Sequence, residues 1–271
     1  MTLNSKKEEY LIYKLADNMK NCIKIDADLF RKLDVKRGLR NDDGTGVLVG
    51  LTNIGNVVGY ERTENGLKPI EGKLYYRGYE ISDLVHAVLN EQRFGFEEIA
   101  YLLLSGGLPD AEELEQFRHL LVGNMPLMSK TMLNIVELEG RDIMNILARS
   151  VLELYTYDDT PDDISRENLM RQSVELISKF PTIIAYAYNM LRHKTFGRSL
   201  HIRHPKDNYS LAENFLYMLL GNNYTPLDAR TLDLLLILQA EHGGGNNSTF
   251  TVRVTSSTCT DTYSSIAAVF G

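Results

Sequence analysis

The stretch Ala240-Glu241-His242-Gly243-Gly244-Gly245-Asn246-Asn247-Ser248-Thr249-Phe250-Thr251-Val252-Arg253 places three glycines and two asparagines directly after an apolar helical run. Its reading decides the rest of the chain. In a structural reading, Gly243 to Gly245 is a helix stop, and His242 is a last-turn residue suited to the negative end of the helix dipole. In a functional reading, three consecutive glycines lose much conformational freedom on folding, which fits a site where backbone must approach a ligand closely. Both readings stand on these residues alone. A His-Gly-Gly-Gly run also occurs in esterase oxyanion loops, but the chain has no Gly-x-Ser-x-Gly nucleophile elbow and no alternating strand-helix texture. A phosphate-cradling loop would need a following Gly-Lys-Ser or Gly-Lys-Thr and a preceding strand, and the sequence offers neither.

Working upstream, Leu232 to Ala240 is the most apolar run, interrupted by Asp233 and Gln239. It falls far short of the ~20 residues a membrane-spanning helix needs and predicts a buried core helix. Thr225 caps that helix, with Pro226 first and Asp228 third; Asp110 caps another, with Glu113 three residues on. Ile143, Ile146, Leu147 and Leu154 share one helical face, as do Leu169, Leu176, Ile177 and Phe180 before Pro181 breaks the run. Helical period therefore holds from Ile81 onward. The loop Thr156 to Asp163 carries four aspartates but lacks the glycine and terminal glutamate of a calcium loop, so it reads as a solvated connector.

From Val47 to Ile81 the texture differs. β-Branched and aromatic residues are punctuated by Gly50, Gly55, Gly59, Gly66 and Gly72, and Asn65-Gly66 is a hairpin-turn signal. Short strands forming a small sheet are expected there. Further upstream, about Lys7 to Asn21 suits an exposed helix, and Lys36 to Arg40 a connector. The polar N-terminus lacks a secretory signal, which predicts a cytoplasmic protein. Cys22 and Cys259 read as two reduced thiols.

The chain has 271 residues, is 44% hydrophobic and carries a formal net charge of −7, so it can bury a substantial core, and its acidic balance argues against nucleic acid as a partner. His193, His201 and His204 lie near Arg192, Arg198 and Arg203, which would suit an anion. His201-x-x-His204 is half a metal site, but no Cys, Asp or Glu completes a zinc shell, so no metal is expected.

Leu232 to Phe270 resembles the citrate synthase family, with the apolar helix, Ala-Glu-His-Gly-Gly-Gly-Asn, Ser-Thr-Phe-Thr-Val-Arg-Val-Thr-Ser-Ser-Thr and Ser-Ile-Ala-Ala. So do Leu176-Ile-Ser-Lys-Phe-Pro181, Ala212-Glu-Asn-Phe-Leu-Tyr-Met-Leu219 and Tyr75-Tyr-Arg-Gly-Tyr-Glu-Ile81, and the likeness covers roughly residues 45 to 271. The resemblance implies a mostly α, multi-helical large domain with a small N-terminal β-hairpin region. It divides the chain into an N-terminal helix and connector (1–45), the large domain (46–241, hairpin about 47–81) and the truncated start of a small domain (242–271).

The implied reaction condenses acetyl-CoA, a substrate rather than a cofactor, with oxaloacetate to give citrate and CoA, in a homodimer packed through large-domain helices. Alternatives are 2-methylcitrate synthase, which uses propionyl-CoA, and a non-catalytic scaffold or regulatory module on the same fold. By the resemblance, His242 is catalytic, donating a hydrogen bond to the thioester oxygen as the enol or enolate forms; His204, Asn214 and Asn246 are expected to bind substrate. The chain departs from the family pattern in two places. It stops at Gly271, before the segment carrying the second histidine and then the catalytic aspartate, so the chain alone is expected to be inactive. Where the family can place an oxaloacetate-binding histidine before the Asn-Phe pair, Glu213 stands here, so either another histidine, such as His204, takes that role or binding differs. The family also makes Thr249 to Thr255 helical, although its alternation of polar and β-branched residues alone favours a strand.

Overall fold

The computed structural model describes residues 15, 26–36, 38–41, 44–64, 66–137 and 142–270. The chain divides into two compact units, Met1–Val49 and Gly50–Gly271. The expected helix over Lys7 to Asn21 lies outside the described residues apart from Leu15, as does Cys22. In the first unit a short helix, α1 (Ala27–Lys32), is capped by the Asp26 carboxylate, and an Arg40↔Gly46 bridge closes a turn around Asn41.

The second unit opens with a hairpin of β1 (Gly55–Thr63) and β2 (Gly66–Tyr76), to which β3 (Tyr79–Glu80) adds in the order β1-β2-β3, all antiparallel. Strand structure begins at Gly55 rather than Val47, and the register slips between Val58 and Tyr60. Gly66 pairs with Thr63 at φ +109°, a left-handed conformation that glycine adopts without a Cβ clash; its neighbour Asn65 lies outside the described residues. Most of the hairpin is exposed, and the end of β2 anchors it, where Leu74 and Tyr76 join Leu84, Val88, Ile99, Leu102 and Ile237 in a core.

The rest is helical: α2 (Ile81–Asn90), α3 (Phe96–Ser105), α4 (Ala111–Asn124), α5 (Ser129–Glu137), α6 (Ile143–Leu154), α7 (Arg166–Phe196), α8 (Leu211–Leu220), α9 (Pro226–Gln239), α10 (Asn247–Ser256) and α11 (Thr262–Ala267). The expected capping boxes at Asp110/Glu113 and Thr225/Asp228 form, and a third forms at Ser210/Glu213. Glu213, the family departure, is thus the third residue of the α8 capping box, its carboxylate accepting from the Ser210 N–H.

Pro181 does not break its helix: α7 runs unbroken to Phe196. The cost of one missing N–H and of the ring's clash is offset by packing on both sides of the proline. Leu176, Ile183, Tyr186 and Met190 are buried from both halves of α7 against α4, α5, α6 and α8. Each such side chain contributes ~1.5–3 kcal/mol when fully buried. α11 packs on α6, so the chain's last helix belongs to this same core through Tyr263 and Ala267. Thr249 to Thr255 is helical, as the family pattern implies. Asn246 caps α10, and the Thr251 and Thr255 hydroxyls bond carbonyls one turn back at 2.8 Å, so the β-branched residues are accommodated.

Candidate active site

The apolar run before His242 forms α9, but not as a helix buried all round. Its buried stripe is Ala229, Asp233 and Ile237, at four-residue spacing, while Leu235 and Leu238 are about half exposed. Asp233 is the charged member of that stripe and is 1% exposed. Its carboxylate accepts the Gly95 N–H at 2.8 Å and the Phe96 N–H at 3.1 Å, capping α3 from another helix. Burial pushes its pKa up to about 6, the neighbouring Glu97 adding to the rise against those two N–H donors and Arg118. Glu97 extends the chain of caps: one of its oxygens accepts the Leu211 N–H at 2.7 Å, at the start of α8. Helices α9, α3 and α8 are therefore tied end to side by two buried carboxylates.

The C-terminal turn of α9 is held by Tyr76, whose ring is fully buried. Its hydroxyl lies 2.8 Å from the Ile237 carbonyl and 2.9 Å from that of Glu241, and accepts the Glu241 N–H at 3.2 Å. Tyr76 thereby satisfies peptide groups that a helix end leaves without intrahelical partners, immediately before His242. The next residue, Arg77, spans from the Leu103 carbonyl (2.7 Å) to the Asn53 side chain (3.0 Å), fixing the segment that passes under the turn.

The glycines then divide by role. Gly243 has φ +92°, and a Cβ on it would lie 3.1 Å from a Val57 methyl; a Cβ on Gly244 would lie 3.2 Å from the Thr52 methyl. Gly243 is favoured for its left-handed backbone, and at both positions residues 52–57 approach closely enough that a Cβ would crowd a side-chain methyl. A side chain at Gly55 would collide with Glu241 in the same contact. Gly245 has open space around its Cβ direction and no positive φ, so nothing in the structure demands a glycine there. A cleft of about 470 Å³ lies along Thr52–Asn56 with Tyr75, Arg77 and Gly78. His242 is not among the residues that line it, and its side chain is exposed.

Asn246 organises that turn. Its Oδ1 accepts the Thr249 N–H at 2.7 Å, capping α10, and its Nδ2 contacts the Gly243 carbonyl, the Thr249 hydroxyl and, at 3.4 Å, the His242 Nδ1. The two N–H groups of the Asn246 amide are placed on the Gly243 carbonyl and the Thr249 hydroxyl, so its approach to Nδ1 positions the His242 ring without fixing its tautomer. The structure thus brings His242 and Asn246 together. His204 is exposed on the loop before α8. Asn214 is fully buried, and its side chain is committed to that loop, accepting the Lys206 N–H (2.7 Å) and donating to the Lys206 and Tyr209 carbonyls (3.0 and 3.2 Å). It braces the segment that carries His204. Among the described residues no cluster of three or more His, Cys, Asp or Glu side chains is arranged to hold a metal ion, and no helix is long and apolar enough to cross a membrane.

The aspartate-rich loop is only partly the solvated connector the sequence suggests. The Asp158 side chain is 2% exposed. It takes hydrogen bonds from the Thr160 N–H, Gln172, Tyr263 and Arg171 at 2.6–2.9 Å. Burial alone would raise its pKa, but those donors outweigh it and draw it down to about 2.

Residues 43–271 match the family model described as citrate synthase, C-terminal domain. The chain is 34% identical over 205 residues to citrate synthase of Haloferax volcanii, covering 74% of this chain and 51% of that protein. It is 30% identical over 245 residues to 2-methylcitrate synthase 2 of Corynebacterium glutamicum, covering 88% and 56%. Its fold matches the crystal structure of citrate synthase from Pyrobaculum aerophilum with a TM-score of 0.69 and 32% identity, over 83% of this chain and 53% of that one. The chain spans about half the length of the curated relatives it matches.

Proposed function

This chain belongs to the citrate synthase family, and we propose that it forms part of an enzyme that condenses acetyl-CoA with oxaloacetate to give citrate and CoA in the tricarboxylic acid cycle. The observation that carries the assignment of roles is the turn at the end of α9, where an exposed His242 has its Nδ1 3.4 Å from the Asn246 amide nitrogen. Carbon-carbon bond formation from a thioester requires loss of a proton from a very weakly acidic methyl group. A preorganised donor facing the oxygen on which charge develops lowers that barrier, and one such donor typically contributes on the order of 2.7–4 kcal/mol. A His242 ring N–H is that donor to a substrate carbonyl oxygen, and Asn246 positions the ring. His204 contacts the oxaloacetate carboxylates, and Asn214 acts through the loop it braces. A homodimer in the cytoplasm completes the proposal, assembled through the apolar residues that α6 and α7 leave exposed, Met144, Leu152, Leu169 and Met170 among them.

The test is CoA release, read as free thiol, from a protein that carries this chain. His242→Ala should lower kcat roughly 10²–10³-fold; an unchanged rate would overturn the role given to His242. Running the assay with propionyl-CoA beside acetyl-CoA separates citrate from 2-methylcitrate synthesis. A preference for propionyl-CoA would replace the substrate named here.

A further inference from the structure

The end of α7, the loop after it and the end of α8 form a second concavity that shares no residue with the turn around His242. A cleft of about 470 Å³ is lined there by Arg192, Arg198, His201 and Arg203, with Leu219 and Leu220 among its apolar wall residues. No carboxylate lines it, although acidic residues outnumber Lys and Arg 36 to 29 in the whole chain. Among the described residues none of these three guanidinium groups takes part in an ion pair.

Cations near helix C-termini have an ordinary use, since they satisfy and neutralise the last carbonyls. Arg203 does this: its Nη1 donates to the Met218 carbonyl at 3.3 Å. It is also seated for the purpose. The Tyr186 hydroxyl holds its carbonyl at 3.1 Å, and its guanidinium lies so close to Gly221 that a Cβ there would come within 3.1 Å of it. Buried Asn189 closes the same floor by donating to the Met218 and His201 carbonyls at 3.1 and 3.2 Å. Arg192 and Arg198 have no such employment. Arg192 lies over the Tyr188 ring at 5.7 Å, and no hydrogen-bond acceptor contacts either guanidinium within the described residues. Arg192 and Arg198 thus line the cleft with no acceptor on their guanidinium groups among the described residues, beside an Arg203 that is held in place.

We propose that this cleft binds a small phosphate-bearing anion, with Arg192 and Arg198 supplying the free charge, Arg203 fixed beside them and Leu219 and Leu220 flanking the carbon portion. A phosphate is preferred to a carboxylate because its additional oxygen can engage a third guanidinium while two forks are occupied. Isothermal titration calorimetry with pyrophosphate, inorganic phosphate and citrate, each at matched ionic strength, tests this. Pyrophosphate should bind saturably and more tightly than citrate. The double variant Arg192→Ala/Arg198→Ala should weaken it at least 10-fold. Arg198→Lys, which retains the charge at an exposed position, should weaken it several-fold through loss of the fork. His242→Ala should leave it unchanged, which separates this cleft from the proposed substrate site. Heat that does not saturate, citrate binding as tightly as pyrophosphate, equal affinity in the double variant, or sensitivity to His242→Ala would each overturn the assignment.

Discussion

Replacing Tyr76 by phenylalanine removes one oxygen from the core and little else, so its cost can be worked out from the contacts. The ring stays packed among Leu84, Val88, Ile99, Leu102 and Ile237. Ile237 keeps a partner for its carbonyl, since the Ala240 N–H also reaches it at 3.3 Å. Glu241 loses the partner of both its N–H and its carbonyl. A buried polar group left unsatisfied costs ~1–3 kcal/mol. Because Glu241 is only half-buried and water can reach part of it, the lower half of that range applies, ~1–2 kcal/mol. Urea denaturation should show this as a lower midpoint with an unchanged slope. The damage should also be local: amide exchange at Glu241 should accelerate more than exchange in α7. In the active protein kcat should fall while KM holds, because Tyr76 acts on the aim of His242 rather than on substrate. Stability within ~0.5 kcal/mol of the parent, together with unchanged exchange at Glu241, would refute the argument that this hydroxyl holds the turn.

The glycine run offers an internal comparison. Gly243→Ala should destabilise by ~1–2 kcal/mol, from its positive φ and the Val57 methyl, whereas Gly245→Ala should leave thermal stability unchanged; equal losses would mean the division of roles is wrong. Asp233 has a folded pKa of about 6, above its ordinary value near 3.8, so its contribution to stability is full below pH ~4 and is lost as pH rises through 6. At ~1.4 kcal/mol per unit that is ~3 kcal/mol, and Asp233→Asn should flatten the corresponding slope in a pH series of unfolding midpoints. Asp158 carries the opposite sign: with a pKa drawn down to about 2, it stabilises above pH ~4, and that contribution, ~2 kcal/mol, fades as pH falls toward 2. Asp158→Asn should therefore cost stability at pH 7 and little at pH 2.

What the sequence disclosed and what it hid differ by the range of the interactions involved. The capping boxes at Asp110 and Thr225 were legible because donor and acceptor lie three residues apart, and Ser210 with Glu213 carried the same signal unread. The helical state of Thr249–Thr255 was legible only through family likeness, since its alternation favours a strand until Asn246 is known to cap it. At Pro181 tertiary packing overrides the local rule: α7 is buried on both sides of the proline, through Leu176 and Ser178 before it and Ile183 and Tyr186 after it, and the partners that bury it are not written within a few residues of the proline. The supports of His242 were hidden for the same reason in a stronger form. Tyr76 reaches across 165 residues to Glu241, and Asp233 across 138 to Gly95. Asp233 nonetheless left a trace, as the one charge inside the most apolar run of the chain. A carboxylate at the centre of a helix's buried stripe must find donors from another element or remain protonated, and here it does the first while its pKa moves toward the second. That charge is therefore the point at which sequence alone could have predicted a long-range contact: a polar residue on a core face names the need, though not the partner that meets it.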